Sequence, residues 1–257
     1  MISNIYNEIK SHKPRFSHSH LNTTFSVASA ILVLIVYGSV QSEKRMIAAF
    51  GEHTVISDFG IMLFAITSFI CIFTRYTFKN ELSKSIKQFL LYTALFTAFL
   101  LLDDYFSFHE YWVPKYFNIK EKTYYIGLAA FTLFYFLKIW KTLLKTNYIV
   151  LLLSLSCLSM SVLGDGVLAI RELLAITGVV CVALCAYLIV YNRKFIRIYA
   201  WSLFMTVVLF LGYVYLSTLV TDPEYVLEEG FKWLGIASWC SYYSHSAYLF
   251  IMMTKES

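Results

Sequence analysis

Apolar residues run along this chain in long blocks that are nearly free of charge, and the polar residues gather between them. The blocks cover about residues 22–41, 55–74, 87–109, 123–141, 147–164, 172–191, 197–220 and 228–252. Each approaches the ~20 residues that a helix needs to cross a hydrocarbon core about 30 Å thick. The pattern predicts an all-α integral membrane protein, a bundle of about eight transmembrane helices. Pro14, Pro114 and Pro223 are the three prolines and all lie outside the blocks, as uninterrupted helices require. Pro114 closes the third block, and Thr221-Asp222-Pro223-Glu224 reads as a turn that caps the eighth. The connections are short, with no internal repeat. Residues 22–253 therefore read as a single transmembrane helical domain behind a basic cytoplasmic segment, residues 1–21.

Composition agrees with the pattern. Hydrophobic residues make up 59% of the chain and charged residues 14%, too little charge to cover the surface of a soluble domain of 257 residues. Cys71, Cys157, Cys181, Cys185 and Cys240 sit inside apolar blocks with no Cys-x-x-Cys spacing, so they read as small buried hydrophobes. The N-terminal stretch is polar, with Lys10, Lys13 and Arg15 ahead of the first block and no small-residue cleavage pattern after it. The first block is thus expected to act as an uncleaved insertion signal. Ile2, Ile5, Tyr6 and Ile9 share one face of a short amphipathic helix, and His12, His18 and His20 follow in what reads as a solvated tail.

Charge sets the expected orientation. With the N-terminus inside, 14 of the 21 Lys and Arg residues fall on inner segments, which favours N-in and C-in at a cell (inner) membrane. The carboxylates fall the other way, with 13 of 16 at outer loops or outer helix ends. The outer face is acidic.

That asymmetry draws attention to Leu102-Asp103-Asp104-Tyr105-Phe106-Ser107-Phe108-His109-Glu110, which ends the third block. At about 1.5 Å of rise per residue, Asp103 lies about 24 Å beyond Lys87, several Å below the outer interface. Ionisable groups at that depth are costly and seldom lack a partner or a task. On a continuous helix Asp103, Ser107 and Glu110 would share a face, Asp104 would point about 100° away, and His109 would join neither. Other helices should then complete the site. Asp58 opens the second block, Asp165 closes the fifth, Glu172 opens the sixth, and Glu228, Glu229 and Lys232 open the eighth, with Glu228 and Lys232 spaced for an i, i+4 ion pair. The helix dipole alone accounts for acids at helix starts, but not for an Asp-Asp pair near a helix end.

From these residues Asp103, Asp104, His109 and Glu110 are candidate catalytic groups, and Asp165, Glu172, Glu228, Glu229, Lys232 and His245 candidate binding groups. A divalent metal fits Asp103, Asp104, His109 and Glu228, although the sequence names no cofactor. The adjacent carboxylates are expected to hold a cation or to share a proton, with His109 as relay. Ser241 and His245 stand one turn apart in the eighth block and could hydrogen-bond, while Ser154, Ser156, Ser159 and Ser161 read as packing residues.

The Asp-Asp-x4-His-Glu segment and the later Leu227-Glu228-Glu229-Gly230-Phe231-Lys232 segment resemble the paired signatures of an uncharacterised group of prokaryotic multi-span membrane proteins. That resemblance implies the fold and brings no known activity. Three functional classes follow: a membrane enzyme or ligand-binding protein with an outer-leaflet acidic and histidine site, a cation- or proton-coupled transporter or channel, and an interaction or immunity-type protein. The absence of proline from the blocks, with His245 almost the sole ionisable group at mid-membrane, favours the first. The expected partners are the lipid bilayer and a small-molecule, ion or lipid ligand, and nothing points to nucleic acid.

Overall fold

The computed structural model describes residues 18–39, 55–146, 148–164, 211–212, 214–215 and 223–255. Among the described residues the chain is helical, without strands: α1 His18–Ser39, α2 Val55–Thr77, α3 Lys84–Phe106, a π-helical turn Phe108–Trp112, α4 Val113–Phe117, α5 Glu121–Leu143, α6 Tyr148–Gly164 and α7 Pro223–Lys255. Six of the eight apolar blocks are thus seen as helices. The sixth block and most of the seventh lie outside the described residues, as do residues 1–17, Asp165, Glu172, Cys181 and Cys185. Among the described residues, three helices carry stretches long and apolar enough to cross a membrane, Ile56–Thr77, Lys84–Phe106 and Thr123–Leu143, while Val27–Tyr37 and Val150–Val162 are shorter apolar runs.

The described residues fall into two compact units. One comprises Ile61–Leu151 and Trp239–Ser257, the other Ser17–Gly60 and Leu152–Ser238.

In the first unit, α2 departs from the burial pattern of a water-soluble bundle. α2 buries Thr67, Ser68, Cys71 and Thr74 while Phe69, Ile72, Phe73 and Tyr76 face outward. Exposed apolar surface of this extent, with small and hydroxylated residues at the helix contacts, is the pattern of helices packed in lipid. The hydroxyls find partners within the bundle. Ser68 donates to the Ala94 carbonyl at 3.0 Å, and Trp239 Nε1 donates to Thr97 at 3.1 Å. Tyr135 links Thr93 (2.9 Å) to Tyr243 (2.6 Å), which ties α3, α5 and α7 together. The Tyr135 ring also stacks on Phe96 at 4.4 Å, and Phe89 packs edge-on against Phe250.

Local signals start and stop these helices. Ser83 is the N-cap of α3 and accepts from the Ile86 amide, and Thr146 ends the α5–α6 turn by donating to Leu143 and bonding the Tyr242 hydroxyl at 2.6 Å. The α2–α3 and α5–α6 turns share one end of this unit, and the cations Arg75, Lys79, Lys84, Lys87, Lys138, Lys141 and Lys145 fall there. Lys138 folds over the Phe134 ring and Arg75 over Tyr76, long side chains lying along apolar surface with their charges at the rim.

In the second unit, the α7 segment Trp233–Ser238 is buried on every face. Its contact with α6 depends on the absence of a side chain: a Cβ at Gly235 would fall 2.7 Å from Leu158 Cγ and 3.0 Å from the Leu158 backbone nitrogen. Ser154 crosses the same gap and donates to the Gly235 carbonyl at 2.7 Å. The indole of Trp233 packs edge-on against Phe59 and donates to the Ala28 carbonyl at 3.4 Å, joining α1 and α2 to α7. Pro223 is the first helical residue of α7, the position where a missing N–H costs least.

Candidate functional site

The Asp103–Glu110 stretch does not continue as helix. α3 ends at Phe106, and Ser107 adopts a left-handed conformation (φ 48°, ψ 47°) in which its amide bonds back toward the Asp103 and Asp104 carbonyls. Glycine usually fills this position, because a Cβ is crowded there. The chain then passes into the π-helical turn, where Val113 donates to the Phe108 carbonyl, and through α4 to a second left-handed residue, Asn118 (φ 52°).

This reversal corrects the expectation that the third helix would run to 109 and leave His109 on neither face. On a straight helix Asp103 and His109 would be about 120° and 9 Å apart. With the break at Ser107, His109 Nδ1 instead comes to 3.1 Å from Asp103 Oδ2. The other carboxylate oxygen, Oδ1, accepts from the Tyr124 hydroxyl at 2.6 Å, and Tyr124 lies in the first turns of α5. Asp103 is 5% exposed. It is nevertheless well served, as a buried carboxylate must be.

The imidazole is held on three sides. Its ring lies over Tyr124 (centroids 5.9 Å, planes 24° apart) and against Tyr125 at 5.4 Å, and the side chain is 13% exposed. A carboxylate that accepts from Nδ1–H fixes the tautomer, so in neutral His109 the lone pair sits on Nε2. An imidazole locked in this way can take up or release a proton, or bind a ligand, with little reorganisation.

The remaining predicted site residues are distributed as follows. Asp104 is partly buried beside the cap, and Glu110 falls within the π-helical turn. Glu228, Glu229 and Lys232 belong to the second unit, where Lys232 Nζ stands 3.9 Å from Glu229 Oε1, three residues earlier on α7. His245 is partly buried on α7 with its ring stacked on Tyr248. Among the described residues, no three His, Cys, Asp or Glu side chains come together as a group able to hold a metal ion. Of the expected metal set, Asp103 and His109 form a hydrogen-bonded pair. The expected set omitted Tyr124 and Tyr125. Their adjacency at the start of an apolar block was visible, but tyrosine is common at membrane interfaces, and nothing in the sequence joins that block to Asp103.

Residues 20–174 match the family described as Domain of unknown function (DUF8692), a stretch that contains Asp103, Ser107, His109, Tyr124 and Tyr125. No curated protein and no solved structure matches the chain.

Proposed function

The chain belongs to the DUF8692 family, a domain of unknown function, and on that premise we propose a multi-span membrane protein whose Asp103–His109 pair exchanges a proton with, or binds, a ligand at the membrane surface. One observation carries this reading. A nearly buried carboxylate is committed on both oxygens, to Tyr124 and to an imidazole 3.1 Å away, so that His109 is fixed in one tautomer and orientation.

The proposal includes eight spans with both ends cytoplasmic in a cell (inner) membrane, and kinship with the prokaryotic group that the two acidic signatures resemble. The orientation is supported by the lysine and arginine bias of the sequence and by the collection of Arg75 to Lys87 and Lys138 to Lys145 at the end of the first unit away from Asp103. The site then opens on the outer side.

A second reading, proton or cation movement, has the buried Thr93–Tyr135–Tyr243 hydroxyl chain in its favour. It is the weaker one, because those three hydroxyls also serve to fasten three helices.

Carbethoxylation of the folded protein in nanodiscs, mapped by mass spectrometry, tests the first reading. His109 should react at its non-acidic nitrogen before the protein unfolds, and Asp103→Asn should change its rate. Protection of His109 until global unfolding would make the pair a sealed clamp and end the proposal.

A further inference from the structure

The end of α3 and its connection to α5 carry an exposed set of rings. Tyr105, Phe106, Tyr111, Trp112, Tyr116 and Phe117 are between 43% and 70% exposed. Trp112 and Tyr116 stack at 5.2 Å, and Lys115 Nζ lies 4.5 Å from the Tyr111 ring and 5.5 Å from the Tyr116 ring while donating to the Tyr111 hydroxyl. Rings with polar tips around an ammonium suit neither bulk water nor the hydrocarbon core. They suit the layer between, where aromatic bodies are buried and polar ends meet headgroups.

We propose that residues 105–119 form a docking surface for the phospholipid headgroup layer, with Lys115 as the contact to lipid phosphate. Two further observations favour lipid over a protein partner. The surface is continuous with outward-facing apolar side chains on both flanking helices, Phe99 and Leu102 on α3 and Ile126 on α5. Lys115 and Lys120 are also both exposed, which supplies cationic groups for lipid phosphate. The two left-handed residues, Ser107 and Asn118, fold the segment into compact turns, so the rings stay close to the ends of the spans. The inference rests on α3 and α5 being membrane spans. It deepens the reading of the site by setting the Asp103–His109 pair at headgroup depth, within reach of an amphiphilic ligand arriving along the leaflet.

Fluorotryptophan-labelled protein in phospholipid nanodiscs tests the depth, with the Trp112 resonance assigned by its loss in Trp112→Phe. A nitroxide on the lipid headgroup should broaden that resonance several-fold more than an aqueous gadolinium chelate does. The contact is tested with lysine labelled at Nζ, whose signal should be dephased by lipid phosphorus, part of the effect disappearing in Lys115→Gln. A Trp112 resonance broadened by the chelate alone would overturn the docking surface. Headgroup depth without a Lys115 difference would overturn the phosphate contact. His109 carbethoxylation is read separately: a protected His109 with Trp112 at headgroup depth removes the chemistry and leaves the surface, and the reverse outcome removes only the surface.

Discussion

Replacing Asp103 by asparagine keeps the shape of the side chain and removes its ability to accept on both sides. Oδ1 takes a hydrogen from Tyr124 at 2.6 Å, and Oδ2 faces His109 Nδ1 at 3.1 Å. Asparagine offers one acceptor and one donor, so one of the two partners has to reverse its role. With the amide oxygen kept on Tyr124, the NH2 group faces Nδ1 and drives neutral His109 into the other tautomer. Hydrogen bonds to a charged group contribute about 1.5–3 kcal/mol and neutral ones about 1 kcal/mol, so two such exchanges cost up to a few kcal/mol. Side-chain hydrogen bonds in membrane proteins average only ~0.6 kcal/mol, which brings the expected loss down to about 1–2 kcal/mol. The informative readout is spectroscopic. Ring 15N shifts of His109, recorded well above the ordinary imidazole titration range, should show the Nδ1–H form in wild type and the Nε2–H form in Asp103→Asn. Tyr124→Phe should cost similar stability and leave the tautomer alone. Identical His109 shifts in Asp103→Asn and wild type would refute the claim that Asp103 orients the ring.

Three further outcomes follow from the same geometry. Gly235→Ala should destabilise by about 2–4 kcal/mol in detergent-titrated unfolding, from overpacking against a backbone atom plus loss of the Ser154 bond, whereas Gly127→Ala, with nothing within 4 Å of the new Cβ, should be neutral or slightly stabilising. Ser107→Gly should raise the melting temperature by relieving about 1 kcal/mol of left-handed strain with the His109 tautomer unchanged, and Ser107→Val should lower it. Tyr135→Phe should cost about 1 kcal/mol by stranding Thr93 and Tyr243 together, more than Tyr243→Phe, which removes an end of the chain and not its middle.

How much was legible depended on whether a feature is written locally. Helical blocks follow from composition along one segment, so the blocks 55–74 and 147–164 lie within three residues of the helices Val55–Thr77 and Tyr148–Gly164. Pro223 at the start of α7 follows from the chemistry of a single residue. The Asp103 site was legible as a problem, a costly carboxylate that needs a partner, and illegible as a solution. Its partners depend on a serine in a conformation normally given to glycine, which no periodicity announces, and on a tyrosine from the next helix. The burial pattern of α7 was also hidden. Lys232, Glu228 and Glu229 make its first half look like an interfacial end, while the structure buries Trp233–Ser238 on all faces.

The strain at Ser107 is intelligible only together with the contacts it permits. A non-glycine residue in the left-handed region costs about 1–2 kcal/mol. A straight continuation of α3 would avoid that cost and carry His109 about 9 Å up the helix, leaving Asp103 with Tyr124 alone. Reversal gives the second carboxylate oxygen its own donor, which contributes on the same scale as the strain. It also turns the chain back before the exposed rings of Tyr111, Trp112 and Tyr116, so that they gather around Lys115 beside the ends of the spans. Serine at 107 and the acid at 103 therefore act as one device. If the left-handed turn persists unchanged in Asp103→Asn, then the cap and the π-helical turn hold it independently, and the carboxylate is a beneficiary of the reversal with no part in causing it.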